Sequence, residues 1–419
     1  MLPASPIPLA NAFAASSEED WRKAVAEARN GASGEAPPPV HPTAFAATAI
    51  PGRTVGTRWR IVQRVAEGHN VGHLIAEEVA GGATGVALAF DDTPGPLRGR
   101  LNRSHVPAIT TALGAAPDGF EVRVETGDPE ILDALRRTGP SVVPAFDRVA
   151  ARAAGAIGDL AARADGATLA DGRIWHAAGA TDVLELAIVL ATFVAHLRDL
   201  EGPERIGVAL AADADQFATI AKFRAARLLL ARVAETAGLA GPPPKVHGET
   251  AWRMMSRLDP RMNVLRATSA AFAAAVGGAD SITVLPFDID GADAGARRLA
   301  RNTQSILIEE AHIDRVADPA AGSGLVEAMT VSLAEAAWGR FQKIERAGGV
   351  IAAIRDGALI AEVAAEREAR LAAAVGGGLQ MVGVNAFTKA PAVPAAVPVA
   401  DETRLVFRRL SEAFEEHAP

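Results

Sequence analysis

A chain of 419 residues, 49% hydrophobic and 22% charged, can bury a large core, either as one big α/β domain with appendages or as two to three smaller ones. A net charge of -8 with no basic run speaks against nucleic acid as the main partner. The absence of cysteine excludes a disulfide framework, a thiolate metal site and a cysteine nucleophile; tyrosine is absent too.

The N-terminal stretch has no basic n-region, and Pro and Asn break its apolar residues, so it is not a signal peptide. Ser16 to Glu27 predicts a first helix, capped by Ser16 or Ser17, with Trp21, Val25 and Ala28 as its apolar stripe. Asn30 to Pro42 is Gly/Pro-rich and reads as a linker, which makes residues 1–42 an N-terminal helical arm. From Trp59 onward, strand and helix signals alternate. Strands are expected at Arg60–Val65, Gly85–Phe90, Phe120–Glu125, Ile174–Ala178, Ile206–Ala211, Val246–Thr250 and Ser281–Pro286. Helices are expected at His73–Ala80, Pro129–Arg137, Val149–Ala164, Asp182–Asp199, Asp215–Ala237 and Asn263–Val276. The longest apolar run, Val183 to Leu197, carries Glu185 and His196 and spans 15 residues, too short and too polar for a membrane span.

Ala296 to Gly349 organises the rest. A helix from Ala296 to Glu310 carries Leu299, Ile306 and Leu307 at helical spacing. A break at His312–Asp314 leads to Val316, read as a strand, and then to the turn Asp318-Pro319-Ala320-Ala321-Gly322-Ser323-Gly324. A second helix follows, with Leu333, Ala336, Ala337, Phe341 and Ile344 in period, and Gly348-Gly349 ends it. With Val316 and Met381–Val384 counted, about eight strands alternate with helices. That count fits a (β/α)8 barrel over residues 43–389, and a doubly wound sheet would alternate in the same way. Residues 390–419 read as a Pro/Ala linker, Ala390 to Ala400, and a last helix, Asp401 to His417.

Polar residues at strand ends are the candidates for chemistry in a barrel. His176, the pair His247 and Glu249, Asp288, Asp290 and Asp318 hold such places. His247 and Glu249, two apart on a strand, face one side and suit acid/base work or a metal. No HExxH, paired-His or GxSxG spacing accompanies them, and a structural hydrogen bond is the commoner use of each. Gly277-Gly278 and Gly376-Gly377-Gly378 match no phosphate loop.

The ordered series Arg301-Asn302-Thr303-Gln304, Glu309-Glu310, Asp318-Pro319, Gly322-Ser323, Glu327, Thr330, Ala337-Trp338 and Ile344-Glu345 resembles the barrel domain of methylmalonyl-CoA mutases. Trp175-His176-Ala177-Ala178-Gly179-Ala180, Lys222-Phe223-Arg224, His247, Asn263-Val264-Leu265-Arg266 and Val382-Gly383-Val384-Asn385 extend the likeness, and Leu9 to Trp21 is similar to the small-subunit N-terminus. The resemblance spans almost the whole chain. It implies a barrel that encloses an acyl-CoA, with coenzyme B12 presented by a separate flavodoxin-like domain.

The sequence departs from that family at its chemistry. Arg64 stands where the family's substrate-contacting Tyr is expected, and Gly248-Glu249 replaces its Cys-Gln after the histidine. Two aromatics after the Gly-Gly-Ser run are also gone. The cobalt-ligating Asp-x-His-x-x-Gly domain is missing; Glu67-Gly68-His69-Asn70-Val71-Gly72 is a coincidental echo. The resemblance therefore implies a non-catalytic small subunit, a degenerate site at Arg64, His247 and Glu249, and a substrate-like pocket at His176 and Asp288. It further implies no cofactor or metal on this chain, adenosylcobalamin on a catalytic partner in a heterodimer, and a cytoplasmic location. The alternative is an active barrel that borrows cobalamin from a separate protein. A buried Arg64 needs a carboxylate, and Glu249 is the expected partner.

Overall fold

The computed structural model describes residues 52–53, 56–138, 141–156, 168–199, 206–239, 242–388 and 403–415, with residues 17, 19, 20, 23 and 50 ahead of them. Eight strands are β1 (Arg60–Val65), β2 (Gly85–Ala89), β3 (Glu121–Glu125), β4 (Ser141–Pro144), β5 (Thr168–Asp171), β6 (Ile206–Ala212), β7 (Val246–Thr250) and β8 (Ser281–Thr283). Their order is β4-β3-β2-β1-β8-β7-β6-β5, and every pairing is parallel. Eight parallel strands with surrounding helices form a nearly closed (β/α)8 barrel, so the barrel and not the open sheet is the fold.

The helices are α1 (Val71–Ala80), α2 (Val106–Leu113), α3 (Pro129–Arg136), α4 (Arg148–Ala153), α5 (Gly172–Ala178), α6 (Asp182–Asp199), α7 (Gln216–Thr236), α8 (Met262–Val276), α9 (Ala294–Glu309), α10 (Gly324–Arg346), α11 (Val350–Arg355), α12 (Ala358–Val375) and α13 (Glu412–Glu415). Strand alternation divides the core. Val65, Val86, Leu88, Val122 and Val124 face outward onto Ile75, Ile109, Ile131 and Leu135 of α1 to α3. The opposite faces of the same strands turn inward, and there β1, β3 and β7 carry charge. Among the described residues, no helix is long and apolar enough to cross a membrane.

The strand count is as expected, but its members differ. Ile174–Ala178 belongs to helix α5, whose seven residues are all buried, so no polar face marks its period. Its entry is cramped: a Cβ on Gly172 would lie 2.7 Å from the Glu185 carboxylate. Val316 follows a 3-10 turn, and Val382 makes only an isolated bridge to Ala386. The strands that fill the ring are β4 and β5, four residues each and too short to stand out. The expected helix from Asp401 is also corrected: within 403–415 only Glu412–Glu415 is α-helical. Leu405 N–H donates to Ala153 O and Leu410 N–H to Arg253 O, so this segment spends its donors on the barrel rather than on its own carbonyls. Near the N-terminus, the Ser17 hydroxyl accepts the Asp20 N–H at 3.1 Å and the Asp20 carboxylate accepts the Ser17 N–H at 2.9 Å, a reciprocal cap. The rest of the arm, and both expected domain boundaries, lie outside the described residues.

Candidate functional site

The carboxyl ends of the strands converge on four long side chains. Arg64 of β1 pairs with Glu125 of β3 at 2.8 Å and with Glu249 of β7 at 3.2 Å. Arg173, two residues past the end of β5, pairs with Glu125 at 2.9 Å, Glu249 at 3.0 Å and Asp171 at 2.7 Å. Each of these side chains is 9% exposed or less. Alternate strands of a barrel contribute side chains to a shared interior layer, which is why residues far apart in sequence meet. The even strands supply small residues at neighbouring registers: Ala87 beside Arg64, Ala89 beside Glu125, and Ala211 and Thr283 beside Glu249. That leaves room for the long charged ones.

Charge also lies deeper along the axis. Two residues back on β3, Arg123 pairs with Glu121 at 3.3 Å, and Arg60 at the start of β1 pairs with Glu121 at 3.3 Å. Two residues back on β7, His247 is 1% exposed and its Nδ1 meets the Ser281 hydroxyl at 2.8 Å. Burial, and then the charges of Arg123, Arg173 and Arg64, hold the His247 pKa well below its ordinary value. A neutral imidazole among cations is a poor base. Burial alone would push both glutamates up. Arg64 and Arg173 nonetheless hold Glu125 below its ordinary value, while Glu249, with Glu125 and Asp171 also near, stays raised. Arginine is always charged and donates only, so Arg64 and Arg173 act as fixed donors to the two carboxylates.

The remaining candidates go elsewhere. His176 sits on α5, buried; its Nε2 accepts from Arg253 at 2.7 Å, and burial first, then the Arg253 and Lys222 charges, bring its pKa down to about 3. Asp288 is exposed and lines a cleft of about 300 Å³ at the barrel mouth with Arg64, Arg98, Arg100 and Arg297. His176 and Asp288 therefore do not share a pocket. Asp290 pairs with Arg257 at 2.6 Å, and Asp318 pairs with Arg224. Arg224 also holds Glu327 at 2.7 Å, and Glu327 accepts the Gly322 N–H at 2.9 Å. The small-residue turn from Asp318 to Gly324 is thus a clasp between α7 and α10. His176, Asp182 and Glu185 offer ligand atoms within 4.8 Å of one another, the spacing of a metal site. The Lys222 ammonium, 2.8 Å from both carboxylates, already supplies the positive charge there.

Sequence reasoning missed Glu125 and Arg173. The alternation of Phe120 to Glu125 was visible, but nothing local says that its polar face turns into a barrel.

Fold and interior together define a parallel β/α barrel whose axial residues are tied to one another by ion pairs. The family model for methylmalonyl-CoA mutase matches residues 168–416, more than half of the chain. The chain belongs to the methylmalonyl-CoA mutase family. It is 47% identical over 259 residues to the methylmalonyl-CoA mutase small subunit of Streptomyces virginiae, covering 58% of this chain and 42% of that protein. It is 43% identical over 308 residues to a probable methylmalonyl-CoA mutase small subunit of Mycobacterium tuberculosis, covering 68% and 49%. The large subunit of Propionibacterium freudenreichii subsp. shermanii is 33% identical over 239 residues, covering 50% and 31%. The likeness is thus stronger to small subunits, and the chain spans about half the length of these relatives or less.

Proposed function

We propose that this chain is the non-catalytic small subunit of a two-chain, coenzyme B12-dependent methylmalonyl-CoA mutase of the cytoplasm. Its role is to hold a catalytic large chain in its working form while that chain interconverts methylmalonyl-CoA and succinyl-CoA. The observation that carries this reading is Arg64. Where the family resemblance expects an aromatic substrate contact, a guanidinium lies between Glu125 and Glu249, with Arg173 on the same two carboxylates. Separating such a buried set to admit a thioester would leave uncompensated charge inside the barrel, at several kcal/mol per ion.

The residues present do not fit cobalamin. The one echo of its ligand motif, His69, is exposed in the turn before α1, with its Nε2 3.1 Å from the Asn70 side-chain amide. Adenosylcobalamin is assigned to the large chain.

The test is to co-express the chain with a mutase large subunit, weigh the complex by native mass spectrometry, and measure turnover with His247→Ala. A one-to-one heterodimer is expected, with cobalamin bound only when the large chain is present and turnover unchanged by the substitution. A fall of about a hundredfold with the complex intact would place catalysis in this barrel, since a loss that size is what removing a catalytic group costs.

A further inference from the structure

The ring of strands has one seam that side chains close. β4 and β5 stand at the two ends of the strand order, and among the described residues no backbone pair joins them. The Asp171 N–H, at the end of β5, donates to the Asp147 carboxylate just past β4 at 2.8 Å. The other oxygen of that carboxylate caps α4 by accepting the Val149 and Ala150 N–H groups. The Thr168 hydroxyl donates to Phe146 O at 3.4 Å, and Ala145, Leu169 and Ala209 share a small apolar cluster. Parting β2 from β3, by contrast, would break a ladder registered over five residue pairs.

A second tie comes from far along the chain. Residues 403–415 form a strap that holds both flanks of the seam with two consecutive residues. Leu405 N–H donates to Ala153 O of α4, on the β4 side, at 2.9 Å. Val406 O accepts from Arg367 at 3.1 Å, and the Arg367 stem lies against Gly179, which ends α5 on the β5 side. A Cβ on Gly179 would fall 2.3 Å from the Arg367 Cβ, and its φ of +123° suits glycine. Leu405, 4% exposed, shares one apolar cluster with Val149 and Ala153 of α4 and Ile174 and Trp175 of α5. Further round the rim the strap is anchored on the turn after β7. There the Arg409 guanidinium lies 5.6 Å over the Trp252 ring, Leu410 N–H donates to Arg253 O at 3.1 Å, and the Ser411 hydroxyl donates to Met255 O at 2.9 Å.

We infer that this strap latches the barrel along the β4–β5 seam, and that lifting it lets the barrel open there as a unit while the other strands stay paired. Proteins open in such cooperative pieces where few backbone bonds must break. Arg173, two residues past β5, holds Glu125 of β3 across the same line at 2.9 Å. Opening draws that pair apart and brings water to the axial charges. The strap thereby couples the chain that follows the barrel to the barrel interior.

The chain has no cysteine, so a single introduced thiol reports on a clean background. Ala145→Cys places one at the seam and Val86→Cys places one in the core under α1, both at buried positions. Thiol labelling of each full chain under native conditions measures how often its site opens. Ala145→Cys should label at least about tenfold faster than Val86→Cys, as a local opening outpaces a global one. Adding Leu405→Ala should speed labelling at the seam by about thirtyfold or more, the effect of emptying a buried leucine site. Adding Ile109→Ala, in the core of β2 and β3 away from the seam, should leave the seam rate unchanged. Equal labelling at the two sites overturns the latch, and so does a seam rate that Leu405→Ala leaves alone. A seam rate that Ile109→Ala raises as much as it raises the rate at Val86→Cys also overturns it, because the opening is then global. If melting shows that Ala145→Cys does not fold, hydrogen exchange of the Asp171 amide in the chain without introduced cysteine decides. Faster exchange than at the Val86 amide, and faster still with Leu405→Ala, is expected; equal protection of the two amides refutes the latch.

Discussion

Arg173→Met removes a guanidinium that touches three buried carboxylates at once. Arg173 lies 2.9 Å from Glu125, 3.0 Å from Glu249 and 2.7 Å from Asp171, and its side chain is 3% exposed. Methionine keeps much of the volume, so the loss is electrostatic. Removing one partner of a buried ion pair costs about 3–5 kcal/mol. For 419 residues unfolding as one unit, an unfolding entropy of about 2.1 cal/mol/K per residue makes this a Tm drop of about 3–6 °C. The pH dependence separates this cause from simple misfit. In the wild type Glu125 is held below its ordinary value, so its contribution is present at neutral pH and is lost as pH falls through its folded pKa. In the variant, Glu125 and Glu249 share Arg64 alone. One carboxyl then has a folded pKa raised above its unfolded value, and its proton favours the fold as pH falls from 7 to 5. Calorimetric melts of both proteins at pH 7 and pH 5 should show a deficit that shrinks on acidification. A deficit under about 1 °C at pH 7, or one that grows at pH 5, would refute the reasoning.

Three further outcomes are expected. Lys222→Met strands Asp182 and Glu185, each 2.8 Å from an ammonium with no exposed surface, and should lower Tm by a comparable amount in the same melts. The Glu185 carboxyl is pushed up to about 7, by burial first and the nearby Asp182 charge next, against the pull of Lys222. Its contribution is therefore present in mild acid and lost as pH rises through about 7, so the wild type should melt lower at pH 8 than at pH 6; an equal slope in Glu185→Gln would count against this. Gly81→Ala places a Cβ 2.1 Å from the Arg301 guanidinium and displaces it from Glu78, which should destabilise by about 1–3 kcal/mol, read as an earlier urea midpoint.

Much of the fold was legible in the sequence because it depends on local pattern. Alternating strands and helices, the cap at Ser17 and the long helices at Asp182 and Gln216 follow from apolar period and capping chemistry. The resemblance marked Arg64 and Glu249 as two departures from one family pattern, and a buried cation's need for a carboxylate joined them; they lie 3.2 Å apart. It also singled out Arg224, Asp318, Gly322 and Glu327, which the structure joins in one clasp. Tertiary structure alone decided three things. It made α5 a helix, because a segment buried on all sides carries no period to read. It turned the polar face of β3 inward, because alternation tells that a strand has two faces but not which one closes a barrel. And it brought Glu125 and Arg173 to Arg64 and Glu249, because barrel closure places residues of β1, β3, β5 and β7 in one layer, whatever their separation along the chain.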